Sequence, residues 1–171
     1  MSDAPGGDEG FSDAQRSGFE QRRSDQDRTL EAMQDLEAAL GEAAPRREGP
    51  WQDAVLGALG VLADATEDEA ANAAQPDSLL SDIARTQPRL RNRVRGLRLQ
   101  YRQLQDSIDS LRHELVLPEN QAVDAADVRQ RLAWVLTGLR HQRGRESDLI
   151  YEAYYDAFRT DLGREGHDGD S

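Results

Sequence analysis

The sequence has no cysteine among its 171 residues, and its only histidines are His113, His141 and His167. Without cysteine there are no disulfides, no thiolate catalysis and no cysteine-ligated zinc or iron–sulfur sites. With so few imidazoles, metal or acid–base chemistry would fall mainly to carboxylates. The glycine-rich phosphate loop and the Gly-x-Ser-x-Gly and His-Glu-x-x-His motifs are also missing. We therefore expect a protein that is not an enzyme.

Long apolar runs are missing too. The longest largely apolar stretch is 55–63, far short of the roughly 20 residues that cross a bilayer. The first residues lack the basic and apolar stretches of a signal peptide, so we expect a cytoplasmic protein with no membrane association.

Lysine is absent, and the net charge is −12. A chain of this sign is repelled by phosphates on average, so nucleic acid is not an expected partner.

Apolar residues recur at helical spacing through most of the chain. The strongest pattern alternates steps of four and three residues, which is typical of a helix with one apolar face. Its members are Leu90, Val94, Leu97, Tyr101, Leu104, Ile108, Leu111 and Leu115. Similar patterns predict a first helix at 24–40 with Ser24 as its N-cap, a second helix beginning at Pro50, and a fourth helix at 124–159. No segment shows the alternation expected of a β-strand.

These four amphipathic segments predict an all-α fold. Helices with one apolar face and short polar links bury that face most simply in an up-down antiparallel four-helix bundle, here at 24–162. A short extra helix containing Leu79, Leu80 and Ile83 is predicted between helices two and three. The segments 1–23 and 163–171 are rich in polar residues and glycine and poor in large apolar ones, so they are predicted to be disordered tails.

Polar residues interrupt the apolar faces of the predicted helices. Gln142 and Glu146 continue the apolar face of the fourth helix, and Tyr101 lies midway along the third. Glu69 extends the face of the second helix, and Asp27 extends that of the first. Because successive helices of such a bundle run in opposite directions, these positions are predicted to meet at one level as a polar layer.

Two interpretations of this layer remain open. An unpaired buried carboxylate is costly, so Glu146 must be paired, metal-bound, protonated or hydrated. In the first interpretation, inward carboxylates form a metal site between facing helices. In the second, the hydroxyl of Tyr101 is hydrogen-bonded, and Glu146 is held by an arginine such as Arg102 or reaches an end of the bundle.

Several segments resemble the bacterial hemerythrin-like (HHE cation-binding) domains. They are Gln75-Pro-Asp-Ser-Leu-Leu-Ser-Asp-Ile, Pro88-Arg-Leu, Val94-Arg-Gly-Leu, Glu146-Ser-Asp-Leu-Ile-Tyr-Glu-Ala-Tyr-Tyr and Asp161-Leu-Gly. The resemblance covers residues 27–162. It implies an up-down four-helix bundle that, in full members of the family, holds a non-haem di-iron centre and binds or senses oxygen, or handles iron or nitric oxide.

The resemblance also implies where iron ligands would lie. The corresponding positions are Asp27, Ala65, Glu69, Tyr101, Gln105, His141 and Glu146. Only one of the family's imidazoles survives, at His141, so we predict a bundle that has lost its di-iron site, has no cofactor, and acts as a non-catalytic binding or regulatory protein. The alternative is an iron-binding protein whose ligands are drawn from Asp27, Glu69, Tyr101, His141 and Glu146.

A stripe of arginines supports a third hypothesis. Arg91, Arg95, Arg98 and Arg102 lie on one side of the third predicted helix. Such a stripe could bind an acidic partner or a nucleic-acid backbone. The alternative is a solvated stripe, or one that faces the acidic second helix. A protein partner is left open, and the sequence gives neither its chemistry nor the oligomeric state.

Overall fold

The computed structural model describes residues 10–42, 48–116 and 124–165. These ranges contain α1 (Asp13–Gly41), α2 (Glu48–Ala73), α3 (Leu79–Thr86), a 3-10 turn (Pro88–Leu90), α4 (Arg91–Val116), α5 (Ala125–Ala153) and α6 (Tyr155–Glu165). They contain no β-strand, so the predicted all-α class and the predicted short helix before α4 are confirmed. Within the same ranges, no helix combines the length and hydropathy needed to cross a membrane.

Helix α1 begins at Asp13, so the predicted start of the first helix at Ser24 is wrong. Ser12 is the N-cap: its Oγ accepts a hydrogen bond from the backbone nitrogen of Gln15 at 3.1 Å. The side chain of Gln15 accepts one in return from the backbone nitrogen of Ser12 at 2.9 Å. This reciprocal cap satisfies backbone donors at the helix start. Part of the segment predicted as a tail is therefore helical, while residues 1–9 lie outside the described ranges.

An aromatic cluster fastens this early part of α1 to the far end of the chain. Phe11 lies 4.9 Å from Phe19 and 4.9 Å from Phe158, measured between ring centroids. Phe19 also lies 5.9 Å from Tyr154, and all three pairs meet edge to face, a favourable geometry for aromatic rings. The few large apolar residues of this polar segment are thus the ones that dock it.

The fourth predicted helix is two helices. Tyr154 leaves the helical conformation with φ −112° and ψ 22°, and this residue separates α5 from α6. Its hydroxyl donates a hydrogen bond to Asp82 at 2.6 Å, which ties the junction to α3. Helix α6 continues to Glu165, past the predicted end of the bundle at 162. The remaining residues of the predicted C-terminal tail, 166–171, lie outside the described ranges.

Buried apolar side chains form two clusters. The first apolar cluster draws on α1, α2, α4 and α5 and includes Leu36, Leu59, Ile108 and Leu132. The second apolar cluster joins α3, the 3-10 turn, the start of α4 and the end of α5, and includes Ile83, Leu97 and Leu149. Every apolar member of the pattern predicted for α4 other than Tyr101 is buried in one of them. Along α4 and α5, the two clusters are separated by Tyr101, Gln142 and Glu146.

Side-chain contacts order the four long helices. They include Thr29–Glu69 and Asp25–Asn72 between α1 and α2, Gln105–Thr66 and Gln52–Leu115 between α2 and α4, Gln142–Leu97 and Arg131–Glu114 between α4 and α5, and Arg22–Glu146 and Arg129–Leu40 between α1 and α5. In each pair of helices, residue numbers rise along one helix as they fall along the other. The polar residues of the different helices are thereby brought to one level.

Candidate functional site

Most of the predicted polar layer is present. The layer, as the structure has it, consists of Arg22, Gln26, Thr29, Glu69, Tyr101, Gln142 and Glu146. The prediction that Glu69, Tyr101, Gln142 and Glu146 lie at one level agrees with this arrangement. Its three members from α1, which are Arg22, Gln26 and Thr29, were not predicted from the sequence.

Asp27 does not belong to the layer, since it is exposed, whereas Gln26 and Thr29 are buried. The prediction placed the inward face of α1 on Leu30 and counted back to Asp27. The buried face does include Met33, but before that residue it continues through Thr29 and Gln26 instead of Leu30 and Asp27. Successive residues of a helix point about 100° apart, so an error of one residue in phase moved an exposed aspartate into the predicted layer.

Glu69 lies near the centre of the layer. Its Oε2 accepts a hydrogen bond from Thr29 Oγ1 at 2.6 Å and another from the hydroxyl of Tyr101 at 3.1 Å. Burial raises the pKa of Glu69, the hydrogen bond from Thr29 opposes that rise, and the nearby charge of Glu146 adds to it. The carboxyl group is thus partly satisfied by the protein and has a greater tendency to hold a proton than an exposed glutamate.

Tyr101 is a hydrogen-bond donor in this layer. Burial raises the pKa of its hydroxyl, and the carboxylate of Glu69 raises it further. The side chain is therefore a neutral phenol at neutral pH, and its proton is directed at Glu69. This is the arrangement of the second interpretation, in which the hydroxyl of Tyr101 is satisfied within the protein.

Glu146 is paired with an arginine, but not with the predicted one. Its Oε1 lies 2.9 Å from Nε of Arg22, and the two side chains are only 12% and 19% exposed. Arg22 also donates to Ser147 Oγ at 3.1 Å, whereas Arg102 is exposed. The spacing of the residues could have predicted this role of Arg22, because Arg22 precedes Gln26 by four residues and so lies on the same inward face of α1.

The histidines lie away from the layer. His141 is exposed, and its neighbour Gln142 points inward and donates to the backbone oxygen of Leu97 at 2.6 Å. His113 is exposed as well, and His167 lies outside the described residues. In the part of the chain that the structure describes, no three histidine, cysteine, aspartate or glutamate side chains are grouped closely enough to hold a metal ion.

Two further positions that the resemblance assigns to iron ligands have other roles here. Gln105 donates to the backbone oxygen of Thr66 at 3.2 Å. Ala65 is buried in the first apolar cluster. Gln105 therefore links α4 to α2, and Ala65 belongs to the apolar core.

Three cavities border the layer, and Glu69 and Glu146 line all three. A cavity of about 200 Å³ lies between α1, the end of α2 and the start of α3. A second, of about 120 Å³, lies between α2 and α4 and is also lined by Arg98 and Tyr101. The third, of about 20 Å³, is lined by Gln26 and by other members of the layer. The two glutamates are thus the side chains that any small molecule or ion in these cavities would meet.

The arginine stripe of α4 is partly used inside the protein. Arg98 donates to the backbone oxygen of Ala73 at 3.0 Å and to Ser81 Oγ at 2.9 Å. Arg91 donates to the backbone oxygen of Ala84 at 3.1 Å. These two arginines fasten the end of α2 and helix α3 to α4, although Arg91 is itself exposed, as are Arg95 and Arg102.

Comparisons of the chain with models of protein families, with curated proteins and with solved structures gave no match.

Proposed function

We propose that the protein is a non-enzymatic binding or regulatory protein built on an up-down antiparallel four-helix bundle of hemerythrin-like type, in which the di-iron site has been lost. The bundle would consist of α1, α2, α4 and α5. Support for this arrangement comes from the reversed order of the contacts between neighbouring helices, for example Gln105–Thr66 and Gln52–Leu115.

The observation that carries the proposal is that the inward carboxylates are bound by the protein's own side chains. Arg22 pairs with Glu146, while Thr29 and Tyr101 donate to Glu69. A dinuclear iron centre would compete with the guanidinium of Arg22 for Glu146, and it would need imidazole ligands that Gln142 and the exposed His141 do not supply. The donor set around the layer therefore does not fit a pair of iron ions.

Iron titration followed by absorbance tests the proposal. We expect neither stoichiometric loading with two irons nor an absorption band from an oxo bridge, in the wild type and in an Arg22→Ala variant that frees Glu146. The variant separates two causes of weak binding, because loading that appears only after Arg22 is removed would identify Arg22 as the block. Loading of the wild type with two irons would overturn the proposal.

A single oxygen-liganded cation, iron included, is the second candidate. The observation that favours it is that Glu69 and Glu146 border the same cavities, with the oxygen of Tyr101 beside Glu69. A ligand that binds only the native state raises the melting midpoint by mass action. We therefore propose melts with and without Fe, Mn or Zn. A shift that disappears in Glu69→Gln would favour this candidate, and no shift at saturating metal would reject it.

A further inference from the structure

The smallest cavity contains a buried polar group with no partner. Gln26 is 8% exposed, and it lines the cavity of about 20 Å³ inside the polar layer. Its Nε2 is fully buried and has no hydrogen-bond acceptor among the described residues. Leaving a buried amide nitrogen unsatisfied destabilises the folded protein. An acceptor inside the cavity would remove that cost.

Glu69 lines the same cavity and can accept a further hydrogen bond. The hydrogen bonds that Glu69 accepts from Thr29 and Tyr101 both end on Oε2. Its Oε1 accepts none from the described residues, so this oxygen is available to a further donor. A buried carboxylate oxygen is a strong acceptor. A group that serves both side chains would therefore accept from Gln26 and donate to Glu69.

Size and charge restrict the occupant further. The cavity exceeds the volume of about 10–15 Å³ that one water requires. A bare cation cannot accept a hydrogen bond from the amide of Gln26. An anion would meet the carboxylates of Glu69 and Glu146, against the one guanidinium, of Arg143, that lines the cavity. An apolar atom would leave both unsatisfied groups as they are.

We propose that this cavity is a binding site for one water molecule, which accepts a hydrogen bond from Gln26 Nε2 and donates one to Glu69 Oε1. The water completes the polar layer and links α1 to α2. This inference goes beyond the proposed function, since it concerns the hydration of the layer and not its partner. It holds whether or not a cation binds in the larger cavities.

Nuclear magnetic resonance of the full chain tests the site directly. Met33 lines the cavity, and the chain has only one other methionine, Met1. In protein labelled at the methionine methyl groups, we expect a cross-relaxation peak between the methyl group of Met33 and a long-lived water. A crystal structure should show a peak about 3 Å from Gln26 Nε2 and Glu69 Oε1. A dry cavity, or a peak with ligand distances of about 2.0–2.6 Å typical of a metal ion, would overturn the proposal.

A substitution gives a second test, in which the direction of the change in melting midpoint shows whether the water is bound. Gln26→Met keeps the length of the side chain and removes the amide. If a water is bound, the variant loses its hydrogen bond, and we expect the melting midpoint to fall by about 2–4 °C. If the cavity is dry, the variant removes an unsatisfied donor and the midpoint should rise, which would contradict the proposal. Gln34→Met, on the exposed face of the same helix, is the control for helix propensity.

Discussion

The first apolar cluster and the polar layer lie side by side on the same four helices, yet different interactions hold them together. In the cluster, Leu36, Leu59 and Leu132 are fully buried. They are held by non-directional apolar contacts and not by a hydrogen bond or ion pair with one residue. In the layer, polar groups depend on particular partners, as Glu146 does on Arg22 and Glu69 does on Thr29 and Tyr101. The cluster therefore depends on filled volume, and the layer depends on matched pairs.

This difference predicts how each region responds to substitution. Removing volume from the cluster leaves a void whose cost grows with its size. Removing one partner in the layer leaves the other buried and unsatisfied, so the loss depends on which group remains. The variants below test that contrast, beginning with the largest expected effect.

Leu132→Ala should produce the largest loss of stability. The side chain is 0% exposed at the centre of the first apolar cluster, so we expect the free energy of unfolding to fall by about 2–5 kcal/mol. Chemical denaturation followed by circular dichroism measures it. Leu99→Ala is the matched control, because Leu99 is 52% exposed and should change stability by less than about 0.5 kcal/mol. Equal losses in the two variants would contradict the assignment of the cluster.

Arg22→Ala tests the ion pair of the layer. The pair is largely but not fully buried, so we expect a loss of about 1–3 kcal/mol, between the values for exposed and fully buried pairs. A double-mutant cycle with Glu146→Gln measures the coupling between the two side chains. The control is Arg28→Ala, which breaks the exposed pair with Asp68 and should change stability much less, because water screens that pair. A loss in Arg22→Ala no larger than that in Arg28→Ala would show that the layer does not depend on Arg22.

The same contrast explains what the sequence predicted well. The apolar pattern of α4 repeats over many turns, so the burial of Val94, Ile108 and Leu111 follows from spacing alone. Tyr101 and Glu146 were found because they interrupt such patterns. The apolar residues on either side of such a polar residue show which face of the helix it lies on.

What the sequence did not predict depends on distant partners. Residues 13–23 have few apolar side chains, and their helix is held by contacts with the far end of the chain, such as Phe19 with Tyr154. Local pattern is weak there, and tertiary packing supplies most of the helical stability. The partner of Glu146 was missed for the same reason, since Arg22 precedes it by 124 positions. An error of one residue in the phase of α1 then misplaced Asp27.

Glu69→Gln tests the layer through pH. Because burial raises the pKa of Glu69 in the folded state, folding favours the protonated carboxyl. The resulting stabilisation is complete below the ordinary glutamate pKa and is lost as pH rises through the raised value. The wild type should therefore lose stability relative to Glu69→Gln as pH rises from about 4 towards neutrality. Urea denaturation of both proteins across that range measures the difference, and parallel curves would contradict it.

The smallest effects are expected at two glycines of α5. A Cβ at Gly144 would meet nothing within 4 Å, so Gly144→Ala should stabilise the helix by roughly 0.5–1 kcal/mol through backbone entropy. A Cβ at Gly138 would lie 2.6 Å from Cδ2 of Leu104, a member of the first apolar cluster. Leu104 would have to move within a packed cluster, so Gly138→Ala should be less stable than Gly144→Ala by about 1 kcal/mol or more. Thermal melts of the two variants measure this difference. Equal midpoints would contradict it, because they would mean that Leu104 moves aside at no cost in stability.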